Sequence, residues 1–214
     1  MRVPLKEKAY NYILEEILDG KVNSNSSIVE NDICDKLGIS RTPVREAFKQ
    51  LESEGLIVKY TDRGVFVKDI SLTDIEEICQ LRKMFEVEAL KYSINIITVG
   101  EIDECRSLLY GLDDNSNSWF FFKADKSFHK LVMKYCPNHR LLEYYKNLEI
   151  QIERFQRLLA KEKDHYKVVQ AQHLKLLDIL ESRNYDRAAI ALSYHIDDIK
   201  QSLIDMYNKQ RAEN

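Results

Sequence analysis

Residues 40–57 read SRTPVREAFKQLESEGLI, and wound into a helix they divide into two faces. Val44, Ala47, Phe48 and Leu51 recur at intervals of three and four and make an apolar stripe, while Arg45 and Lys49 stand one turn apart on another side. A residue before proline is pushed away from the helical region and proline itself suits a first helical position, so Thr42 is expected to cap this helix and Pro43 to open it. Gly55 closes it.

Upstream, NDICDKLG (residues 31–38) reads as a short helix ended by Gly38, preceded by the polar, turn-rich run GKVNSNSSIVE. Before that run, Leu5, Ala9, Tyr12, Ile13, Ile17 and Leu18 give a helical period over residues 4–19. Downstream, LIVKY and VFVKDI are β-branched and aromatic runs on either side of TDRG, the pattern of a tight hairpin. Three helices followed by a hairpin form a winged helix-turn-helix, expected over residues 1–70. The second helix of such a pair enters the major groove by its N-terminal part, which here holds Ser40, Arg41, Thr42 and Arg45, with Lys49 one turn further on. An arginine fork matches guanine O6 and N7, while Ser40 and Thr42 can bond phosphates or bases. At the hairpin tip Arg63 can reach a minor groove, and Gly64 lets the backbone approach DNA.

The chain of 214 residues is 44% hydrophobic and 31% charged, with 6 glycines and 3 prolines, a composition that favours helices. A net charge of −3 excludes a basic field over the whole protein, so nucleic-acid contact has to come from a local patch. Cys34, Cys79, Cys105 and Cys136 form no CxxC pair, which argues for reduced thiols and a cytoplasmic location. The N-terminal stretch lacks the apolar region of a signal peptide, and no window approaches a membrane span, so no membrane association is expected.

From Ser71 onward no strand signal recurs. Helices are expected over about 73–96, 100–111, 116–135, 139–161, 165–182 and 185–209, with Thr73 and Glu76 as a capping box at the start. The fold class is therefore mainly α: the winged module, then an all-α bundle over residues 71–214.

The run LGISRTPVREAFKQLESEGLIVKYTDRGVFV (residues 37–67) resembles the winged-helix signature of the GntR family of bacterial transcription regulators. The helical remainder resembles the FCD ligand-binding domain of the FadR-like branch. The resemblance implies operator contacts from Ser40, Arg41, Thr42, Arg45, Arg63 and Gly64. Two features depart from the family pattern: NSNSS replaces its usual Pro-Gly before the second helix, and Asn31 stands where many members carry an arginine. One recognition helix reads only a few base pairs, so a homodimer on palindromic double-stranded operator DNA is expected.

In FFKADKSFHKLVMKYC, Asp125 and His129 are four residues apart and project from one apolar face. Burying them unpaired would cost several kcal/mol, so they need partners. His173 lies on the stripe of Val169, Leu176 and Leu180, and His195 lies with Ala188, Ala191, Leu192 and Ile199. Each histidine is about 11 residues, or roughly 16 Å of helix, from the turn at Arg183 and Asn184, so an antiparallel pair brings both to one height. One Asp and three His in a bundle core suit one divalent ion per chain, Zn, Ni, Mn or Fe. The DxxFH run and the spacing to the later histidines also resemble the metal-binding class of FCD domains. His139 and His165 read as surface residues.

What the site serves stays open at this level. The family resemblance implies a metal that grips a small organic acid effector, with Arg82 and Arg154 as cations on nearby helical stripes to complete the grip. The alternative is a metal-responsive regulator in which the ion is itself the signal, or a purely structural ion. Without a separate general base beside the ligands, no enzymatic activity is expected.

Overall fold

The computed structural model describes residues 3–112, 118–160 and 165–212. The chain forms two compact units, Met1–Ser71 and Leu72–Asn214.

The first unit holds helices α1 (Leu5–Leu18), α2 (Glu30–Leu37) and α3 (Arg41–Ser53), with strands β1 (Ser27–Ile28), β2 (Ile57–Tyr60) and β3 (Gly64–Val67). Its core is the meeting of two stripes: Ala9, Ile13, Ile17 and Leu18 from α1, and Val44, Ala47, Phe48 and Leu51 from α3, all buried. Leu56, Ile57 and Val67 extend that core under the hairpin. The three strands are antiparallel in the order β1-β3-β2, with Ile57 opposite Val67 and Tyr60 opposite Gly64. β1 sits inside the polar run expected to be only a turn, where Ser27 pairs with Phe66 and Ile28 with Val65. A two-residue strand borrows its order from the edge it joins, and has no periodicity of its own to show.

The start of α3 also differs from expectation. Ser40, extended at φ −74° and ψ 168°, is the N-cap, and the helix begins at Arg41. Thr42 and Pro43 therefore fall inside the first turn, where a backbone N–H has no intrahelical partner and proline's missing donor costs nothing. Gly38 ends α2 in the left-handed region at φ 64°.

The second unit is a bundle of α4 (Leu72–Ser93), α5 (Val99–Tyr110), α6 (Ser118–Met133), α7 (His139–Leu159), α8 (His165–Glu181) and α9 (Tyr185–Ala212), with no strand among the described residues. α4 packs against α6, α7 and α9, and α5 packs against α6 and α8. The interior is aliphatic and aromatic, with Leu90, Ile102, Leu109, Phe128, Leu159 and Leu177 among its fully buried side chains. Thr73 lies within α4, which already starts at Leu72, so it does not cap that helix. The capping box is instead Thr98 with Glu101 at the head of α5, and Asn138 caps α7 through Leu141 N–H. No helix among the described residues is long and apolar enough to cross a membrane.

Candidate functional site

Helix α6 carries Asp125 and His129 one turn apart on its inward face, α8 supplies His173, and α9 supplies His195. All four are at most 4% exposed. One ligand atom from each lies within 4.8 Å of the others. His173 Nε2 is 3.1 Å from His195 Nε2 and 3.7 Å from Asp125 Oδ1, and His129 Nε2 is 3.9 Å from the same oxygen. Donors at about 2.0–2.1 Å around a tetrahedral ion stand roughly 3.4 Å from one another, so the observed separations bracket what one ion needs. Phe128 stacks on His173 with ring centroids 4.5 Å apart and closes the cluster on its apolar side.

The partners of these side chains decide which atoms face inward. His195 Nδ1 is 2.7 Å from Gln172 Oε1, an oxygen that only accepts, so this nitrogen donates and Nε2 keeps its lone pair for the cluster. His129 Nδ1 is 2.7 Å from Glu86 Oε2 and likewise donates, leaving Nε2 bare and inward. The Gln156 amide donates to Asp125 Oδ2 and leaves Oδ1 toward the histidines. Glu86 Oε1 accepts from Arg82 Nε at 2.8 Å and from the Tyr145 hydroxyl at 2.7 Å. Among the described residues, the buried side-chain nitrogens without a partner are a terminal Arg82 nitrogen, His129 Nε2 and His173 Nδ1. Arg82 and His129 both line a small cavity of about 20 Å³, with Asp125, Tyr145, Glu149 and Gln156 among its other walls.

Charge follows from burial and these pairings. Burial pushes His173 and His195 well below the usual imidazole range, reinforced at His173 by His129 and at His195 by His173, so both stay neutral with lone pairs available. Burial raises Asp125, against the pull of His129 and Arg82. Burial alone would raise Glu86 too, but His129 and Arg82 outweigh it and hold that carboxyl below its ordinary range. At Arg82 burial opposes the charge, and Glu86 prevails and raises its pKa. Two neutral imidazoles, the unpartnered His129 Nε2 and the Asp125 carboxyl make up the donor set a borderline divalent ion takes.

Of the two expected cations, only Arg82 borders the cavity. Glu149, Ile152 and Gln156 line it from α7, and Arg154, two residues from each of the last two, is buried on a different side of that helix and does not line it. Helical geometry, in which two residues turn the side chain by about 200°, sets Arg154 away from this cavity. Glu86, Tyr145, Gln156 and Gln172 did not emerge from the sequence reading. For Glu86 a signal existed: it follows Arg82 by four on the buried face of Cys79, Ala89 and Leu90. Gln172 offers no such signal. His139 is exposed, whereas His165 is half-buried at the start of α8.

In the first unit, Ser40, Arg41, Thr42 and Arg45 are exposed on or beside the N-terminal half of α3, Lys49 is exposed one turn past Arg45, and Arg63 and Gly64 are exposed at the hairpin tip. Gly64 adopts φ 90°, a conformation that side-chain-bearing residues rarely take. Glu30 of α2, unnoticed in the sequence, is 2.8 Å from Arg45 Nε and 3.7 Å from Arg41 Nε. Both arginine side chains remain over 60% exposed, at 62% and 63%, so the pairing leaves them accessible.

Comparison with known proteins gives matches over both units. Residues 5–67 match the family described as bacterial regulatory proteins, gntR family, and residues 77–198 match the FCD domain. The HTH-type transcriptional repressor RspR of Escherichia coli K12 is 23% identical over 209 residues, covering 94% of this chain and 89% of that protein. A GntR transcriptional regulator from Rhodococcus sp. RHA1 superposes with a TM-score of 0.78 at 21% identity, over 94% of this chain and 97% of that one. The Zn2+-bound FCD domain of TM0439 is similar over 65% of this chain and 99% of its own length, with a TM-score of 0.57 and 20% identity.

Proposed function

The chain belongs to the GntR family of bacterial regulatory proteins, a DNA-binding transcriptional regulator and not an enzyme, and from that premise we propose that its helical unit senses a small organic acid at a metal centre. Asp125, His129, His173 and His195 hold one divalent ion per chain, of the Zn, Ni, Mn or Fe type. Bound there, the ion supplies a Lewis-acid centre for a carboxylate oxygen. The chain's own part is to aim three imidazoles inward, with His173 and His195 kept neutral by burial, and to offer the Arg82 guanidinium to the same anion. One observation carries this reading: two buried nitrogens without partners, on Arg82 and at His129 Nε2, belong to side chains that line one cavity. The zinc-bound FCD neighbour supports a metal in a domain of this shape.

At the other end of the chain, Ser40, Arg41, Thr42, Arg45, Lys49, Arg63 and Gly64 contact a palindromic operator, with a homodimer presenting two such faces in the cytoplasm. Binding of the acid regulates only if its free energy differs between the DNA-competent and DNA-incompetent dimers. The test is a thermal-shift screen of small carboxylates against metal-loaded and chelator-stripped protein. A carboxylate that stabilises only the loaded form and moves operator affinity several-fold is the expected result; equal stabilisation of both forms refutes capture through the metal.

A second reading has its own support. A cavity of about 20 Å³ holds roughly one water, too little for an acid unless the walls move. In that case the ion is itself the signal or braces the fold, and operator affinity changes on adding metal alone.

A further inference from the structure

Glu86 is fully buried in α4 and none of its exposure to water survives, yet it is not one of the four convergent ligands. Its two oxygens are divided between two tasks. Oε2 takes the Nδ1 proton of His129, while Oε1 takes Arg82 Nε and the Tyr145 hydroxyl. The far ends of the same two side chains carry the bare atoms: His129 Nε2 and a terminal Arg82 nitrogen. We infer that Glu86 is the positioning residue of the site, a single carboxylate that aims a metal ligand and an anion-binding guanidinium at one cavity. The inference rests on the metal reading above.

The geometry explains why a carboxylate is required. An imidazole that donates from Nδ1 has its Nε2 lone pair fixed in direction, and partners of this kind raise the basicity of metal-bound histidine. Arg82 offers only donors, as does His129 Nδ1 in this tautomer, so the group between them has to accept on both sides. Glutamine, of the same shape, accepts on one side and donates on the other. Glu86→Gln therefore has to give up either His129 or Arg82, whichever way its amide turns. Without a fixed Nδ1 partner the His129 ring can rotate or change tautomer, and Nε2 no longer points reliably at Asp125, His173 and His195.

The experiment compares the full chain with E86Q and Y145F in competitive zinc titrations against a chromophoric chelator, with the visible spectrum of the Co2+ form as a reporter of ligand geometry. E86Q is expected to bind zinc about 10–100-fold more weakly and to alter the Co2+ bands. Tyr145→Phe removes one bond from Glu86 without touching His129, and is expected to lower thermal stability while keeping wild-type zinc affinity and spectrum. Wild-type zinc affinity with unchanged Co2+ bands in E86Q overturns the inference, as does an equal loss in both variants. Should E86Q not fold, the imidazole 15N shifts of zinc-loaded wild-type protein decide: His129 protonated at Nδ1 and metal-bound at Nε2 supports the assignment, and the reverse arrangement overturns it. A wild-type chain that takes up no zinc removes the metal reading itself, a different result from a wild-type chain that binds zinc as tightly as E86Q does.

Discussion

His173 and His195 are held neutral by burial, and that has a consequence for stability as the solution is acidified. Their native pKa values lie well below the ordinary value, so between the two values the unfolded chain binds protons that the native chain refuses. Above about pH 6.5 both states are neutral and the two histidines contribute no pH dependence; as pH falls below it, native stability is lost. Asp125, whose carboxyl is raised, works in the opposite direction at lower pH. Metal-free protein is therefore expected to show a lower urea midpoint at pH 5.5 than at pH 7.5, measured by circular dichroism. At the proposed metal site, uptake is expected to weaken over the same range, because protons compete for the ligand atoms. His173→Ala or His195→Ala is expected to abolish the rise in Tm that added metal gives the wild-type chain, since only a ligand held by the native state stabilises by mass action.

Among the elements, the α2–α3 pair carries two separable demands. Gly38 turns the chain through a left-handed conformation, and a Cβ placed there meets nothing within 4 Å, so Gly38→Ala is penalised only through the backbone. That penalty is about 1–2 kcal/mol, to be read as a reduced urea midpoint of the winged unit. Glu30 makes the second demand. It holds Arg45 and Arg41 when DNA is absent, and its carboxylate stands beside the face proposed for phosphate contact. Exposed pairs of this kind add little to stability, so Glu30→Gln is expected to leave the fold intact and tighten binding to a generic duplex at low salt. Arg45→Ala is expected to abolish operator-specific binding with the secondary structure preserved. Fluorescence anisotropy against labelled duplexes measures both, and unchanged operator affinity in Arg45→Ala defeats the recognition-helix assignment.

For the molecule as a whole, the proposal requires a dimer, because one short helix reads too few base pairs to be selective. Sedimentation equilibrium is expected to give about twice the 25.2 kDa chain mass, with DNase footprints showing two half-sites related by a two-fold axis. A monomer at micromolar concentration that still footprints a palindrome would refute that assembly.

How much of this was legible in residues 1–214 depends on the range over which each feature is encoded. Stripes such as Val44, Ala47, Phe48 and Leu51 repeat within a single helix, so periodicity reveals helix, buried face and exposed basic face together. The convergence of Asp125, His129, His173 and His195 was readable for a related reason: polar residues on apolar stripes need partners, and equal spacing from one turn sets His173 and His195 at one height. Two-residue β1, the N-cap at Ser40, and the division of Arg82 from Arg154 were decided only in the fold. So were the partners Glu86, Tyr145, Gln156 and Gln172, which come from three helices. The local pattern of a helix states that a side chain faces inward, because rotation by 100° per residue is a property of the chain itself. Which inward side chains meet, and which nitrogen of a histidine is left bare, depends on how helices distant in sequence pack, and only the tertiary structure settles it.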